Sequence, residues 1–181
     1  MAKKNGNGGF GKVFLGFILG IAAVAAGAFL YLHFGTLPVA VSDAPFPYEK
    51  QIVKVPLNGR IDREVKTPPF GTSEDVFESG AHVYLEQCAS CHGVPGHDVG
   101  YARYMYPSAP QLWKKHGKSG VVGVSDDSAG ETYWKVANGI RLTGMPAFKH
   151  VLTDTQMWQV SLLLKNANAE LPLPVTQILT K

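Results

Sequence analysis

The longest apolar run in the chain lies near its N-terminus. Residues 13–34 form a stretch of 22 positions without Asp, Glu, Lys or Arg, broken only by His33 near its end. A helix of this length would reach roughly 33 Å, enough to cross the hydrocarbon core of a bilayer. A cleaved signal peptide is the alternative, but its apolar region usually spans only about 7–15 residues. The pattern therefore predicts an uncleaved transmembrane helix over residues 13–34.

Basic residues precede this helix. Residues 1–12 are polar, rich in Gly and Asn, and contain Lys3, Lys4 and Lys12, so we expect a tail that is disordered or contacts lipid headgroups. Because positive flanks stay inside, the tail should be cytoplasmic and the rest of the chain should lie on the extracytoplasmic side of the cytoplasmic membrane. Gly16 and Gly20 have the spacing of close helix contacts, so a partner helix is a further alternative.

Residues 35–72 lack helical periodicity and contain six prolines: Pro38, Pro45, Pro47, Pro56, Pro68 and Pro69. Proline-rich chains are extended and semi-rigid. A strand at residues 51–55 fits the alternation weakly. The stretch is predicted to be an extended linker, acting as a tether or as a strap on a partner subunit.

Helical spacing returns at Thr72. Thr72 or Ser73 can cap a helix whose first turn carries acidic residues, and Gly80 would let a second helix cross it closely. A short helix is predicted from Glu131 to Asn138. The apolar stripe of the helix that begins at Thr72 or Ser73 is Val76, Gly80, Ala81 and Tyr84.

A final helix begins at a capping box formed by Thr153 and Gln156. The helical domain is predicted to span residues 73–166. Within it, the segment 93–130 is rich in Gly, Pro and Ser and is predicted to be a loop. Residues 167–181 are predicted to be a tail that binds a neighbour. The buried stripe of the final helix is Met157, Val160, Leu163 and Leu164.

Composition adds limits. Charged residues make up 17% of the chain and the formal net charge is +3, too small to suggest a nucleic-acid partner. A basic cluster at residues 114–118 is either an ordinary solvated loop or a docking patch for an acidic partner.

The two cysteines of the chain form the pattern Cys88-Ala89-Ser90-Cys91-His92. This spacing is typical of covalent c-type haem attachment, in which two thiols bind the haem vinyl groups and the following imidazole binds iron. A structural zinc site would need a second ligand pair, and a thioredoxin-like motif would need a βαβ pattern. The motif predicts one covalent haem c held by Cys88, Cys91 and His92.

Met145 is the candidate for the second axial ligand of the iron. It lies between Gly144, which permits close approach, and Pro146, which restricts the backbone. A thioether ligand raises the reduction potential and leaves no position for a substrate. The rival ligands His97, His116 and His150 lack such a frame.

With these residues, the chain resembles the class I cytochrome c family from about Thr72 to Asn166. The resemblance implies an all-α fold in which Pro110 offers its carbonyl to the proximal histidine and Leu112 packs on the haem. Residues 133–141 resemble the segment that leads to the ligand methionine. One departure is that Leu163 or Leu164 stands where the family often has an aromatic residue. Trp134 and Arg141 are candidate partners of the haem propionates.

The predicted architecture is thus a class I cytochrome c domain preceded by a single transmembrane helix and a proline-rich linker. The function it indicates is electron transfer, not catalysis, between membrane complexes such as a quinol-oxidising complex and a terminal oxidase, in respiration or photosynthesis. The protein could be a mobile carrier or a fixed subunit. Two alternatives are a haem enzyme or gas sensor with a displaceable sixth ligand, and a structural subunit with an incidental haem.

Overall fold

The computed structural model describes residues 8–118 and 120–181, and the chain forms two compact units, Met1–Pro45 and Phe46–Lys181. The described part of the first unit contains helix α1, Gly8–Phe34. Its segment Gly9–Phe34, 26 residues, is long and apolar enough to cross a membrane. The predicted span lies within α1. Of the predicted polar tail, residues 1–7 lie outside the described residues, and the rest is already helical.

The second unit is mostly helical, as the sequence predicts. It contains α2 Glu49–Glu64, α3 Glu74–Gln87, α4 Ala89–His92, α5 Ala129–Asn138, α6 Asp154–Lys165 and α7 Leu173–Leu179, with 3₁₀ turns at Gly100–Tyr104 and Phe148–His150. Two-residue strands, β1 Lys115–His116 and β2 Val121–Val122, pair antiparallel, with Lys115 opposite Val122. The predicted loop region 93–130 therefore contains short ordered elements.

Helices α3 and α6 cross closely at Gly80 and form the centre of the core. A Cβ at Gly80 would lie 2.6 Å from the carbonyl oxygen of Gln159, which is too close for any side chain. The predicted caps are present: the Ser73 hydroxyl accepts from Val76 N–H, and Thr153 and Gln156 form a capping box. The stripe predicted on α6 is buried, and Leu163 is fully so.

Helix α5 packs on α6 through aromatic rings. Tyr133 stacks on Trp158, with ring centroids 4.0 Å apart and planes 12° from parallel. Ser128 caps α5 by accepting from Glu131 N–H, so this helix begins slightly earlier than predicted. Gly139 ends it with a positive φ of 65°. The packing of the two helices thereby fixes the position at which the loop after Gly139 begins.

The prediction of an extended linker over residues 35–72 is wrong for residues 49–64, which form α2, and the strand suggested at residues 51–55 is absent from it. Pro56 lies inside this helix despite its missing N–H. Tertiary contacts compensate, since Ile61 is only 3% exposed and α2 packs against α5. Sequence periodicity alone cannot reveal such a helix, because packing rather than propensity holds it in place.

The predicted C-terminal tail also folds onto the domain. Residues Leu173–Leu179 form α7, which packs against α3 and buries Val175 and Leu179. Pro174 lies in its first turn, where a proline is tolerated. Helix α7 is therefore packed on the domain through Val175 and Leu179 and is not a free arm for a neighbour.

Candidate functional site

The two cysteines and His92 lie on one helical turn at the end of α3. Cys88 is the C-cap of α3 and the N-cap of α4, and the backbone N–H groups of Cys91 and His92 both bond to its carbonyl oxygen, at 3.1 and 3.0 Å. This turn places the thiols about one turn apart, as attachment to two vinyl groups requires. Both thiols are free.

The two thiols differ in their surroundings. Cys88 is 9% exposed, and burial raises the pKa of its thiol to about 12, with a smaller contribution from Cys91. Cys91 is half-buried, and its sulfur lies 3.9 Å from the Tyr101 hydroxyl. One sulfur therefore faces the domain interior and the other lies towards its surface.

His92 is fixed by a backbone carbonyl. Its Nδ1 lies 2.7 Å from the Pro110 oxygen, which is the contact that the family resemblance implies. Burial lowers the pKa of His92, although the Pro110 carbonyl acts in the opposite direction. A neutral imidazole that donates from Nδ1 leaves Nε2 free to bind a metal, and a partner of this kind also fixes the ring orientation.

Gln111 ties the Pro110 segment to the cysteine turn, a role that the sequence pattern did not suggest. Its amide nitrogen donates to the Cys91 carbonyl at 3.2 Å, and its amide oxygen accepts from Val99 N–H at 2.7 Å. A Cβ at Gly93 would lie only 2.6 Å from this oxygen, and Gly93 has a positive φ of 72°. Leu112 N–H bonds to the His92 carbonyl at 3.1 Å, and the Leu112 side chain is buried.

Met145 is half-buried beside the core, on a loop held to the end of α5. Its carbonyl accepts from Ile140 N–H at 3.3 Å, and its N–H donates to the Thr143 hydroxyl at 3.1 Å. Gly139 permits the return of this loop, because a Cβ there would lie 2.8 Å from the Met145 oxygen. A Cβ at Gly144 would meet only the flexible end of Met105, so the tighter constraint is at Gly139.

Trp113 is a site residue that the sequence reasoning missed. Its ring lies edge-on to Tyr84, with centroids 5.6 Å apart, and its buried N–H, although close to the Tyr84 hydroxyl, meets no acceptor in hydrogen-bonding geometry among the described residues. A buried donor without a partner costs about 1–3 kcal/mol, so such a group indicates a missing acceptor. A haem propionate is an acceptor of the right kind. In the sequence, the feature that could have indicated Trp113 is its position directly after Leu112, the residue expected to pack on the haem.

The residues therefore fit a covalent haem: two thiols on one turn, an oriented imidazole, a half-buried thioether and a buried donor for an anion. A structural zinc site fits less well, since the described ranges 8–118 and 120–181 contain no group of three or more His, Cys, Asp or Glu that could hold a metal. The thiolate-rich ligand set of such a site is not assembled there.

The two predicted propionate partners are placed differently. The Trp134 N–H donates to Glu64 of α2 at 2.8 Å, so it already has an acceptor. Arg141 is exposed on the loop before Met145. A propionate contact from either residue stays a prediction, and at Trp134 a propionate would have to displace Glu64.

The rival histidines and the basic cluster lie on the surface. His97 and His150 are exposed, and the His116 Nε2 is bonded to the Gly123 carbonyl. Lys114 forms an exposed ion pair with Asp98, so one charge of the cluster at residues 114–118 is already balanced. A docking role for that cluster stays a prediction.

Comparison with known proteins finds a match to a family model over this region. Residues 75–162 match the family model described as cytochrome C oxidase, cbb3-type, subunit III. No curated protein matches the chain. The matched range contains the cysteine turn, Pro110, Trp113 and Met145, and lies inside the region whose resemblance was stated from the sequence.

Proposed function

We propose that this c-type cytochrome, whose N-terminal apolar helix fits membrane anchoring, transfers single electrons between membrane complexes. When bound, the haem supplies an iron that cycles between the ferrous and ferric states. The protein matrix holds that iron in place and sets its potential. The chain acts as an electron carrier or redox subunit, without a substrate site of its own.

The proposed cofactor is one haem c, because the chain contains a single C-x-x-C-H motif and only two cysteines. Cys88 and Cys91 would hold it covalently, and His92 and Met145 would be the protein ligands of its iron. Pro110 would orient His92, Leu112 would pack on the ring, and Trp113 would donate to a propionate. Trp134 and Arg141 are the further propionate candidates.

The observation that carries the proposal is the bond between His92 Nδ1 and the Pro110 carbonyl. It directs Nε2 away from the Pro110 carbonyl, the orientation that would be useful to the iron of a haem attached to the neighbouring cysteines. A histidine in an ordinary core would have no reason for this arrangement directly after two free thiols. The loop of Met145, returned by Gly139, supplies a soft ligand of the kind that closes the sixth position.

The proposed partners are a terminal oxidase and, upstream, a quinol-oxidising complex. The family description names a subunit of a cytochrome oxidase, which supports association with a membrane oxidase complex. The anchor supports the same conclusion, because confinement to a membrane raises the effective concentration of the domain near its partners. The lysines before α1 favour a cytoplasmic N-terminus and an extracytoplasmic haem domain.

The test uses the full chain in its native membrane. Mild detergent purification should co-purify oxidase subunits, and a quinol added to the native membrane, which also holds the upstream complex, should reduce the haem within the turnover time of the oxidase. The oxidised spectrum should show the weak long-wavelength band of a methionine–iron bond. Ready carbon monoxide binding by the reduced protein would contradict the proposal and favour a haem enzyme or sensor. A haem that quinol cannot reduce would favour a structural subunit.

A further inference from the structure

Apolar side chains are concentrated on the surface at the start of α2. Of the large hydrophobic residues that are exposed in the second unit, five lie within residues 46–55, whereas residues 56–181 contain six that are dispersed. The exposed fractions are 44% for Phe46, 74% for Tyr48, 66% for Ile52, 47% for Val53 and 74% for Val55. Single exposed apolar residues need no explanation, but a contiguous group indicates an interaction surface.

Two faces of α2 are apolar, and only one is covered. Ile52, Val55, Pro56 and Gly59 follow the spacing of one helical face. The opposite side carries Ile61, which is buried, and Glu64, which accepts from Trp134. A helix that is apolar on both sides is normally covered on both. Among the described residues, the face of Ile52 and Val55 has no covering element in its unit.

We infer that the lipid surface of the membrane covers this face. The α2 surface is defined as Phe46, Tyr48, Ile52 and Val55, and its proposed occupant is the anionic headgroup and acyl boundary of the bilayer. The inference rests on the membrane anchor of the proposed function and goes beyond it, because it assigns a second membrane contact to the redox unit itself.

Chain length favours lipid over other occupants. Only residues 35–45 separate the end of α1 from Phe46, and at about 3.5 Å per residue this connection reaches roughly 40 Å at full extension. The α2 surface of an anchored chain can therefore never leave the neighbourhood of the bilayer. A protein partner or a second copy would have to compete with lipid that is always within reach.

The chemistry of the α2 surface also fits a bilayer. Phe46 and Tyr48 are aromatic residues of the kind that concentrate at membrane–water boundaries. Arg63 is exposed and follows Val55 and Gly59 at four-residue spacing, so it can extend its charge to anionic headgroups while its stem lies along the apolar face. Interfacial helices combine apolar contact and electrostatic attraction in this way.

The contact would have a functional consequence. Because Ile61 and the Glu64–Trp134 bond fix α2 to the cytochrome fold, lipid contact at Ile52 and Val55 would orient the whole redox unit on the membrane. A domain attached only through a flexible segment would present its cofactor edge in all directions. An oriented domain presents the same edge to every membrane partner.

Site-directed spin labelling of the full chain tests this inference. Haem attachment uses Cys88 and Cys91, so an introduced cysteine is the only free thiol. Nitroxide labels are placed at Ile52→Cys and Val55→Cys, and at Lys54→Cys as the matched control, an exposed polar position between them in sequence that lies about 100–160° around the helix from theirs. The chain is reconstituted at one copy per nanodisc of phosphatidylcholine and phosphatidylglycerol. An unchanged haem spectrum verifies folding of each variant.

Labels at positions 52 and 55 should be several-fold more accessible to oxygen than to a water-soluble nickel chelate, and the label at position 54 should show the reverse. Omitting phosphatidylglycerol should reduce the difference. Equal behaviour at all three positions would overturn the inference while leaving the anchor and electron transfer intact. Protection that appears only with two copies per disc, or only with added oxidase, would also overturn it in favour of a protein occupant. A chain that does not float with lipid would overturn the anchor itself.

Discussion

At the scale of single residues, the site depends on a few atoms that the backbone places. The His92 ring is oriented by one carbonyl, and the Met145 loop returns because Gly139 has no side chain. Neither constraint comes from the ligand residues themselves. Substitutions that alter a ligand and substitutions that alter its support should therefore have separable effects.

Met145→Ala should keep the covalent haem and lose the thioether. The iron should become partly high-spin or recruit another ligand, and the reduction potential should fall, since a thioether favours the ferrous state. Absorption spectroscopy and potentiometry measure both effects. Met105→Ala is the matched control, because the Met105 methyl lies near Gly144 and offers a rival thioether. Loss of the methionine–iron band in the control variant instead would transfer the ligand role to Met105.

Trp113→Phe should lower the reduction potential moderately without unfolding the domain. The substitution keeps a ring beside Tyr84 but removes the buried N–H, so a propionate there would keep more of its negative charge and favour ferric iron. Potentiometric titration measures the shift, and Trp158→Phe, in the aromatic stack with Tyr133, serves as the control. Equal potentials for Trp113→Phe and the wild type would remove Trp113 from the site.

At the scale of elements, two helix contacts decide how the domain is assembled. The crossing of α3 and α6 depends on a glycine, and the attachment of α2 to α5 depends on a carboxylate–indole bond. The first is a contact between backbones with no room to adjust. The second is a half-exposed polar contact that pH can change.

Gly80→Ala should destabilise the domain by about 1–3 kcal/mol, since overpacking displaces one of the two helices. The added Cβ would lie 2.6 Å from the Gln159 oxygen, and that oxygen belongs to the backbone of α6. Chemical denaturation of the haem-loaded protein measures the effect. Gly59→Ala is the control, because a Cβ there meets only the Arg63 side chain at 3.5 Å, and its stability should be equal or higher. Equal losses of stability in Gly80→Ala and Gly59→Ala would contradict the close crossing of α3 and α6 at Gly80.

Glu64 should make the attachment of α2 sensitive to acid. Its hydrogen bond from Trp134, and then that from Arg60, hold the pKa of Glu64 below its ordinary value. A folded-state pKa below the unfolded one contributes stability above the unfolded pKa, and that contribution is lost as pH falls through the folded pKa. The effect should be small, because the side chain is 44% exposed and solvent screens it.

Hydrogen exchange over residues 49–64 measures this attachment. Exchange should become faster below about pH 4, near the ordinary pKa range of a glutamate. Glu64→Gln should speed it already at neutral pH, whereas Asp62→Asn, an exposed acid on the same helix, should leave it unchanged. Exchange in Glu64→Gln that matches the wild type at neutral pH would show that the charge of Glu64 is not needed to hold α2 in place.

At the scale of the whole molecule, the anchor and the redox unit should be separable in folding but not in function. Replacing residues 1–34 with a cleavable export signal should leave haem attachment and the reduction potential unchanged, because the site lies entirely within residues 88–145. Turnover with the membrane partner should fall at equal protein amount and recover with excess soluble protein, since confinement is lost. Steady-state oxygen consumption measures both.

Two other results of that replacement have distinct meanings. Incomplete recovery at any excess would indicate that α1 packs into a complex, for which Gly16 and Gly20 have the spacing. Full turnover without excess protein would show that residues 1–34 act as a removable signal and would contradict the anchor.

The sequence by itself determined the features that depend on local order: the apolar run of α1, the caps at Ser73 and Thr153, and the cysteine turn. The spacing of nearby residues encodes each of these. The close crossing at Gly80 was also predictable, because a glycine in an apolar stripe has few other purposes.

Only the tertiary structure decided that α2 and α7 are helical and which partners the indole N–H groups of Trp134 and Trp113 meet. Residues 49–64 and 173–179 each contain a proline and show little helical periodicity. They are helical because α5 covers one side of α2 and α3 covers one side of α7. Trp134 and Trp113 carry the same N–H donor, yet the donor of Trp134 meets Glu64, distant in sequence, whereas that of Trp113 meets no acceptor among the described residues. Long-range contacts of this kind leave no mark in local sequence, because they depend on which surfaces the folded chain brings together.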